Sequence, residues 1–203
     1  MNKAILYIHG KGGSASESGI FAKSCQGFDV LGVDYDDGDL PCAVKSKIIA
    51  AYDSARENYD VIYVLANSIG AYFAMLSLGE CEIEKALFIS PVVDLQVLIL
   101  GMMKYEGISE EDLRTQGKIG MFSWEYLSFV RENPVKWNTF TAVLYAEGDE
   151  LISRRSIDNF IATHNAILTV MSGGEHWFHT EEQLAFLNNW LSNSLPKADC
   201  NSI

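Results

Sequence analysis

The chain has 203 residues, a formal net charge of −12, and 48% hydrophobic against 21% charged residues. A chain of this length can bury roughly 70% of the surface that its unfolded form exposes, and the composition is that of a globular protein rather than a disordered one. The acidic balance argues against a nucleic-acid partner, because a phosphate-binding surface needs clustered Lys and Arg.

The first residues, Met1-Asn-Lys-Ala-Ile-Leu-Tyr-Ile-His-Gly10, carry an apolar run too short for a signal sequence. No stretch approaches transmembrane length, so no membrane partner and a cytoplasmic location are expected. Cys25, Cys42, Cys81 and Cys200 form neither a CxxC pair nor a metal-ligand spacing. They read as plain thiols of a reducing compartment, with no metal site.

The β-rich run 3–8 reads as a buried parallel strand. It ends in His9-Gly10-Lys11-Gly12-Gly13, where three glycines in four residues mark backbone that must approach something closely. A helix is predicted over 16–26 and a second strand over 28–33, closed by a polar turn cluster at 34–38. Pro41 suits the first turn of a helix reaching about residue 58, with Ile48, Ile49, Tyr52 and Ala55 as its apolar stripe.

The third strand is predicted over 60–66 and its helix over 68–78. Between them lies Ala66-Asn-Ser68-Ile-Gly70. A serine flanked at two residues on either side by small residues, between a strand and a helix, is the setting of a nucleophile elbow. A fourth strand over 84–90 is closed by Pro91. Strands alternating with helices imply right-handed crossovers and a parallel sheet covered on both faces.

The alternation then breaks. No strand is readable over 94–138, which is too long for one crossover helix. It holds an apolar run at 97–103, a capping box at 109–112, an aromatic stretch at 122–129 and an apparent helix start at Asn133-Pro134. A helical cap inserted into a single domain spanning 1–195 is expected. Met102, Met103, Met121, Phe122 and Trp124 are its candidate pocket-lining residues, with two plain surface helices as the alternative.

The fifth strand is predicted over 139–145, ending in Ala146-Glu-Gly-Asp149-Glu-Leu-Ile152. A helix capped by Ser153 runs to about residue 164. A sixth strand over 166–171 ends in Ser172-Gly-Gly-Glu-His176. A capping box at 180–183 opens the last helix, and 196–203 reads as a disordered tail.

Four loops thus each follow a predicted strand and carry Lys11, Ser68, Asp149 and His176. In a parallel α/β sheet the strand C-termini lie along one edge, where ligands bind. The order Ser, acid, His on strand-terminal loops resembles the α/β-hydrolase fold family, over essentially the whole folded chain. The resemblance implies a three-layer αβα sandwich with a mostly parallel sheet of about six strands and a short helical cap. It looks like a small member lacking that family's early antiparallel strands. Two positions depart from the family pattern: Ala66 stands where the elbow has glycine, and the glycine loop is His9-Gly10-Lys11-Gly12-Gly13 rather than HGGG.

The resemblance implies Ser68 as nucleophile, His176 as base and Asp149 as its orienting acid, with the N–H groups of Ile69 and Lys11 as the oxyanion hole. Glu147, Glu150 and Asp94 are alternative acids, and His179 lies close to His176 in sequence. His9 reads as a brace for the glycine loop, and His164 suits a helix C-terminus. The expected substrate is a small-molecule carboxylic ester or thioester with a small or medium acyl group, and no cofactor is required. Lys11 beside the hole would favour an anionic substrate, with a plainly solvated side chain as the alternative. An amidase or peptidase would use the same residues, and a non-catalytic binding protein of this fold is the third reading.

Overall fold

The computed structural model describes residues 1–36 and 38–197, so Asp37 of the predicted 34–38 turn, Cys200 and most of the predicted 196–203 tail lie outside the described residues. Six strands form one sheet: β1 (Lys3–Ile8), β2 (Asp29–Gly32), β3 (Val61–Asn67), β4 (Lys85–Ile89), β7 (Thr141–Ala146) and β8 (Ala166–Met171). Their order is β2-β1-β3-β4-β7-β8 and every pairing is parallel. The long helices are α2 (Pro41–Arg56), α3 (Ile69–Leu78), α4 (Leu95–Glu106), α6 (Trp124–Glu132), α7 (Arg154–Thr163) and α8 (Glu181–Ser194).

Two cores follow from the two-residue period of the strands. Ala4, Leu6 and Ile8 of β1 point into one, with Ile62, Val64 and Ala66 of β3 and Ala86 and Phe88 of β4. Ile5, Tyr7, Tyr63, Leu65, Leu87 and Ile89 point into the other. Helices α2, α3, α4, α6 and α7 cover the first core, while Phe21, Cys25 and α8 cover the second. Each fully buried large side chain contributes about 1.5–3 kcal/mol. Burial pushes the Cys25 thiol up to about 11, so it sits in its core as an inert thiol.

Five expectations are corrected. The predicted helix over 16–26 shrinks to a 3₁₀ turn (Ala15–Glu17) and one α-turn, α1 (Ser18–Phe21). Phe21 and Cys25 are the buried residues of this stretch, too narrow a stripe to hold a longer helix. Within 94–138 a small hairpin forms between α5 (Glu110–Gln116) and α6, from β5 (Lys118–Ile119) and β6 (Phe122–Ser123). Gly120 turns it with φ +57, and two-residue strands are too short to show a period.

Asn133-Pro134 ends α6 rather than starting a helix. The Asn133 side-chain amide donates to the Phe129 carbonyl at 2.9 Å, and a proline just past the end cannot continue the helix. Along α2, Val44 replaces the half-buried Ile49 in the buried stripe. The 109–112 capping box forms as expected. At 180–183 Thr180 caps α8, but the Gln183 side chain accepts from the N–H of His179 instead of closing a box.

Tyr72 on α3 is buried, and its hydroxyl has no hydrogen-bond partner among the described residues. Burial, with the Asp94 carboxylate nearby, holds that hydroxyl well above the ordinary tyrosine range. A buried hydroxyl without a partner costs free energy that its removal returns. Tyr72→Phe is therefore expected to stabilise the protein by about 1 kcal/mol, read as a raised urea midpoint at constant slope.

Candidate active site

The strand order reverses between β1 and β3: the chain leaves β1 for β2 on one side, then returns past it to β3 on the other. Such a switch point opens a crevice at the strand C-termini. Ile8 of β1 pairs with Ala66 of β3, so the loops that follow, His9 to Gly13 and Asn67 to Gly70, run side by side.

Their contact is close. A Cβ on Gly10 would stand 3.2 Å from the Ser68 Cβ and 3.2 Å from the Asn67 carbonyl oxygen. One on Gly70 would run into the carbonyl oxygens of Ile8 and His9. His9 is buried against this loop, its ring nitrogens 2.8 Å from the Gly10 carbonyl and 3.2 Å from that of Tyr35. The Tyr35 ring stacks on it at 4.0 Å, and the Tyr35 hydroxyl donates to the His9 carbonyl. The bracing role expected of His9 is what these contacts describe.

Ser68 sits at the tip of the turn with φ 53 and ψ −121, a conformation that side chains rarely adopt and that costs roughly 1–3 kcal/mol. Three backbone hydrogen bonds hold it there. The Ser68 N–H donates to the Ile89 carbonyl at 2.9 Å, and its carbonyl accepts from Val92 at 2.9 Å and Ala71 at 3.1 Å. Ser90 at the end of β4 has φ 43, the second positive-φ non-glycine among the described residues, and its turn delivers Val92 to Ser68.

Ser68 Oγ lies 3.0 Å from His176 Nε2, and His176 Nδ1 lies 2.7 Å from Asp149 Oδ2. An ionised carboxylate only accepts, so Nδ1 carries the ring proton and Nε2 of the neutral ring is left to accept from the serine. The Asp149 side chain is 0% exposed and His176 is 6% exposed. The other carboxylate oxygen, Oδ1, accepts from the N–H groups of Leu151 and Ile152, both at 2.9 Å. Three donors thus satisfy a buried carboxylate, as burial of such a group requires.

Ile69 is the first residue of α3, so its N–H has no acceptor within the helix and points to the positive end of the helix dipole. Lys11 follows Gly10 in the loop packed on the serine, with its side chain exposed.

Of the alternative acids, Asp94 and Glu147 are engaged elsewhere. Asp94 caps α4 by accepting from Val97 N–H at 3.0 Å. Glu147 accepts from the Ser172 hydroxyl at 2.6 Å, a bond that holds its carboxyl below the usual range, and Glu150 is exposed. His179 is exposed and faces the Trp177 carbonyl at 2.7 Å, while His164 follows α7 and stacks on Phe160. Among the described residues, no group of three His, Cys, Asp or Glu is placed to hold a metal ion.

The five cap candidates scatter. Met102 lines a cleft of about 620 Å³ beside the elbow. Met103 and Phe122 are spent in the first core, and Met121 packs against it. The Trp124 ring is covered by the Arg114 guanidinium at 3.9 Å. What the sequence reading missed is the other wall of that cleft, Leu151 and Ile152, whose backbone N–H groups also hold Asp149.

No known family profile matches the sequence, and no curated protein matches it. Many solved structures share its architecture. Est1E from Butyrivibrio proteoclasticus superposes with a TM-score of 0.72 at 17% identity, over 95% of this chain and 86% of that one. A putative hydrolase from Agrobacterium vitis S4 gives 0.78 at 12% identity, over 95% and 87%. RedJ, a thioesterase from the prodiginine pathway of Streptomyces coelicolor, gives 0.61 at 12% identity, over 96% and 90%.

The chain has the α/β-hydrolase fold. Its sheet carries six parallel strands, and the turn accommodates the methyl group of Ala66, which is fully buried in β3. Gly70 has no such tolerance. Gly70→Ala is expected to displace the turn from β1 and destabilise the protein by more than ~2 kcal/mol. Thermal unfolding checks this, with Ala66→Gly as a control that leaves the turn in place.

Proposed function

We propose that the protein is a serine hydrolase that cleaves a carboxylic ester or thioester through an acyl-enzyme. The observation that carries this reading is the chain of hydrogen bonds from strained Ser68 through His176 to buried Asp149, at 3.0 and 2.7 Å. A serine hydroxyl is a weak nucleophile unless a base stands within reach of its proton.

In the first half-reaction Ser68 Oγ bonds to the substrate carbonyl carbon, and its proton passes to His176 Nε2. The carbonyl becomes an oxyanion, which accepts from the N–H groups of Ile69 and Lys11; each such donor is worth roughly 10²–10³ in rate. The bond to the leaving alcohol or thiol then breaks, and His176 returns the proton to it. A water molecule repeats the sequence on the acyl-enzyme, releasing the acid and restoring Ser68. Asp149 holds the imidazole in the needed tautomer and stabilises its charged form without taking the proton.

The fold neighbours support the fold alone at their level of identity, although one of them, RedJ, is itself a thioesterase. A fluorophosphonate is expected to modify Ser68, located by mass spectrometry of the peptides. A folded protein left unlabelled at that position would overturn the reading. Asp149→Asn is expected to lower kcat by up to about 10⁴-fold while leaving labelled protein detectable at long times. A loss below tenfold would move the acid's role to another carboxylate.

A further inference from the structure

The cleft of about 620 Å³ falls within the range of small-molecule sites. One wall is α4, with Val97, Leu98 and Met102; the other is the turn after Asp149, with Leu151 and Ile152. Val92, also in its lining, is the residue whose N–H donates to the Ser68 carbonyl. Ser68 and His176 are not in the lining themselves; the cleft is joined to them through Val92 and through Leu151 and Ile152, whose N–H groups hold Asp149.

Two independent features describe what would fit there. Val97, Tyr105 and Leu151 line the cleft although they are 50%, 89% and 53% exposed. Large apolar side chains left in water around an apolar opening mark a surface that something apolar covers. The charged groups in the same lining are Asp94, Glu106 and Glu150, all acidic, with no Lys or Arg among the lining residues. Carboxylates accept hydrogen bonds and repel like charge.

Resting on the reading of Ser68 as nucleophile, we propose that this cleft holds the acyl group of the substrate, and that this group is apolar along its length and neutral or cationic at its far end. An acyl group ending in a carboxylate is selected against. This reverses the expectation drawn from Lys11, whose exposed side chain lines no part of the cleft.

The experiment compares kcat/KM for nitrophenyl esters of heptanoate, ω-aminohexanoate and pimelate, which differ in terminal charge at similar length. The neutral and amino esters are expected within about tenfold of each other, and the pimelate ester roughly tenfold or more below both. Glu106→Gln combined with Glu150→Gln should narrow the pimelate deficit relative to heptanoate several-fold. A pimelate ester cleaved as well as heptanoate, or a deficit unchanged in the double variant, overturns the proposal.

Calorimetry with heptyltrimethylammonium reads the same cleft without turnover. Binding should weaken roughly tenfold in the double variant; absent or unchanged binding counts against the cleft. Binding of the expected pattern by folded protein that leaves all three esters intact would instead overturn the reading of Ser68 and keep the cleft assignment.

Discussion

The arrangement depends on one backbone conformation, the positive φ of Ser68 between β3 and α3. An isolated peptide would not hold a serine there, since the strain outweighs any local hydrogen bond. The sheet imposes it. β1 supplies the wall that Gly70 touches, β4 supplies the Ile89 carbonyl, and the strained Ser90 turn supplies the Val92 N–H. Both neighbours of β3 must be in register before the serine oxygen is held out from the strand end, so the elbow's geometry is a property of three strands rather than of five residues.

The second constraint is electrostatic. Asp149 is a carboxylate with no exposed side-chain surface, which would be costly without partners. Two backbone N–H groups and one imidazole provide them, so the turn 149–152 is tied to the Asp149 side chain and cannot easily relax away from it. The loop bearing His176 is attached to the same turn at a second place. Gly148 donates to the Gly174 carbonyl at 2.9 Å, and Glu147 accepts from Ser172 and Gly173. Asp149 and His176 are therefore carried on one hydrogen-bonded unit at the ends of β7 and β8.

Much of this was legible because the signals were redundant. Strands buried on both faces read as continuous apolar runs, and each of the loops bearing Lys11, Ser68, Asp149 and His176 followed such a run. What was not legible depends on non-local contact. Residues 16–26 have helical composition, but Glu17 is held by the Tyr7 hydroxyl at 2.6 Å and few residues of the segment reach the core. The hairpin at 118–123 is too short for periodicity. Among the cap candidates, Met102 and Met103 are neighbours in sequence, yet one lines the cleft and the other fills the core, because successive helix positions point about 100° apart. Sequence pattern identified an apolar segment there but not its inward face.

Ser68 and His176 are 108 residues apart, and His176 lies in the loop after β8, the last strand of the sheet in sequence. During synthesis at ~5–20 residues per second, β3 and its serine emerge roughly 5–20 s before His176 does. For most of that interval the nascent chain carries the Ser68 hydroxyl but neither the imidazole nor the Asp149 carboxylate, which is made 27 residues before His176. The strand that precedes the imidazole is also an edge strand, paired with β7 alone. The hydrogen-bond chain from Ser68 through His176 to Asp149 is thus complete only after β8 has been made, and a chain broken off before residue 176 lacks it.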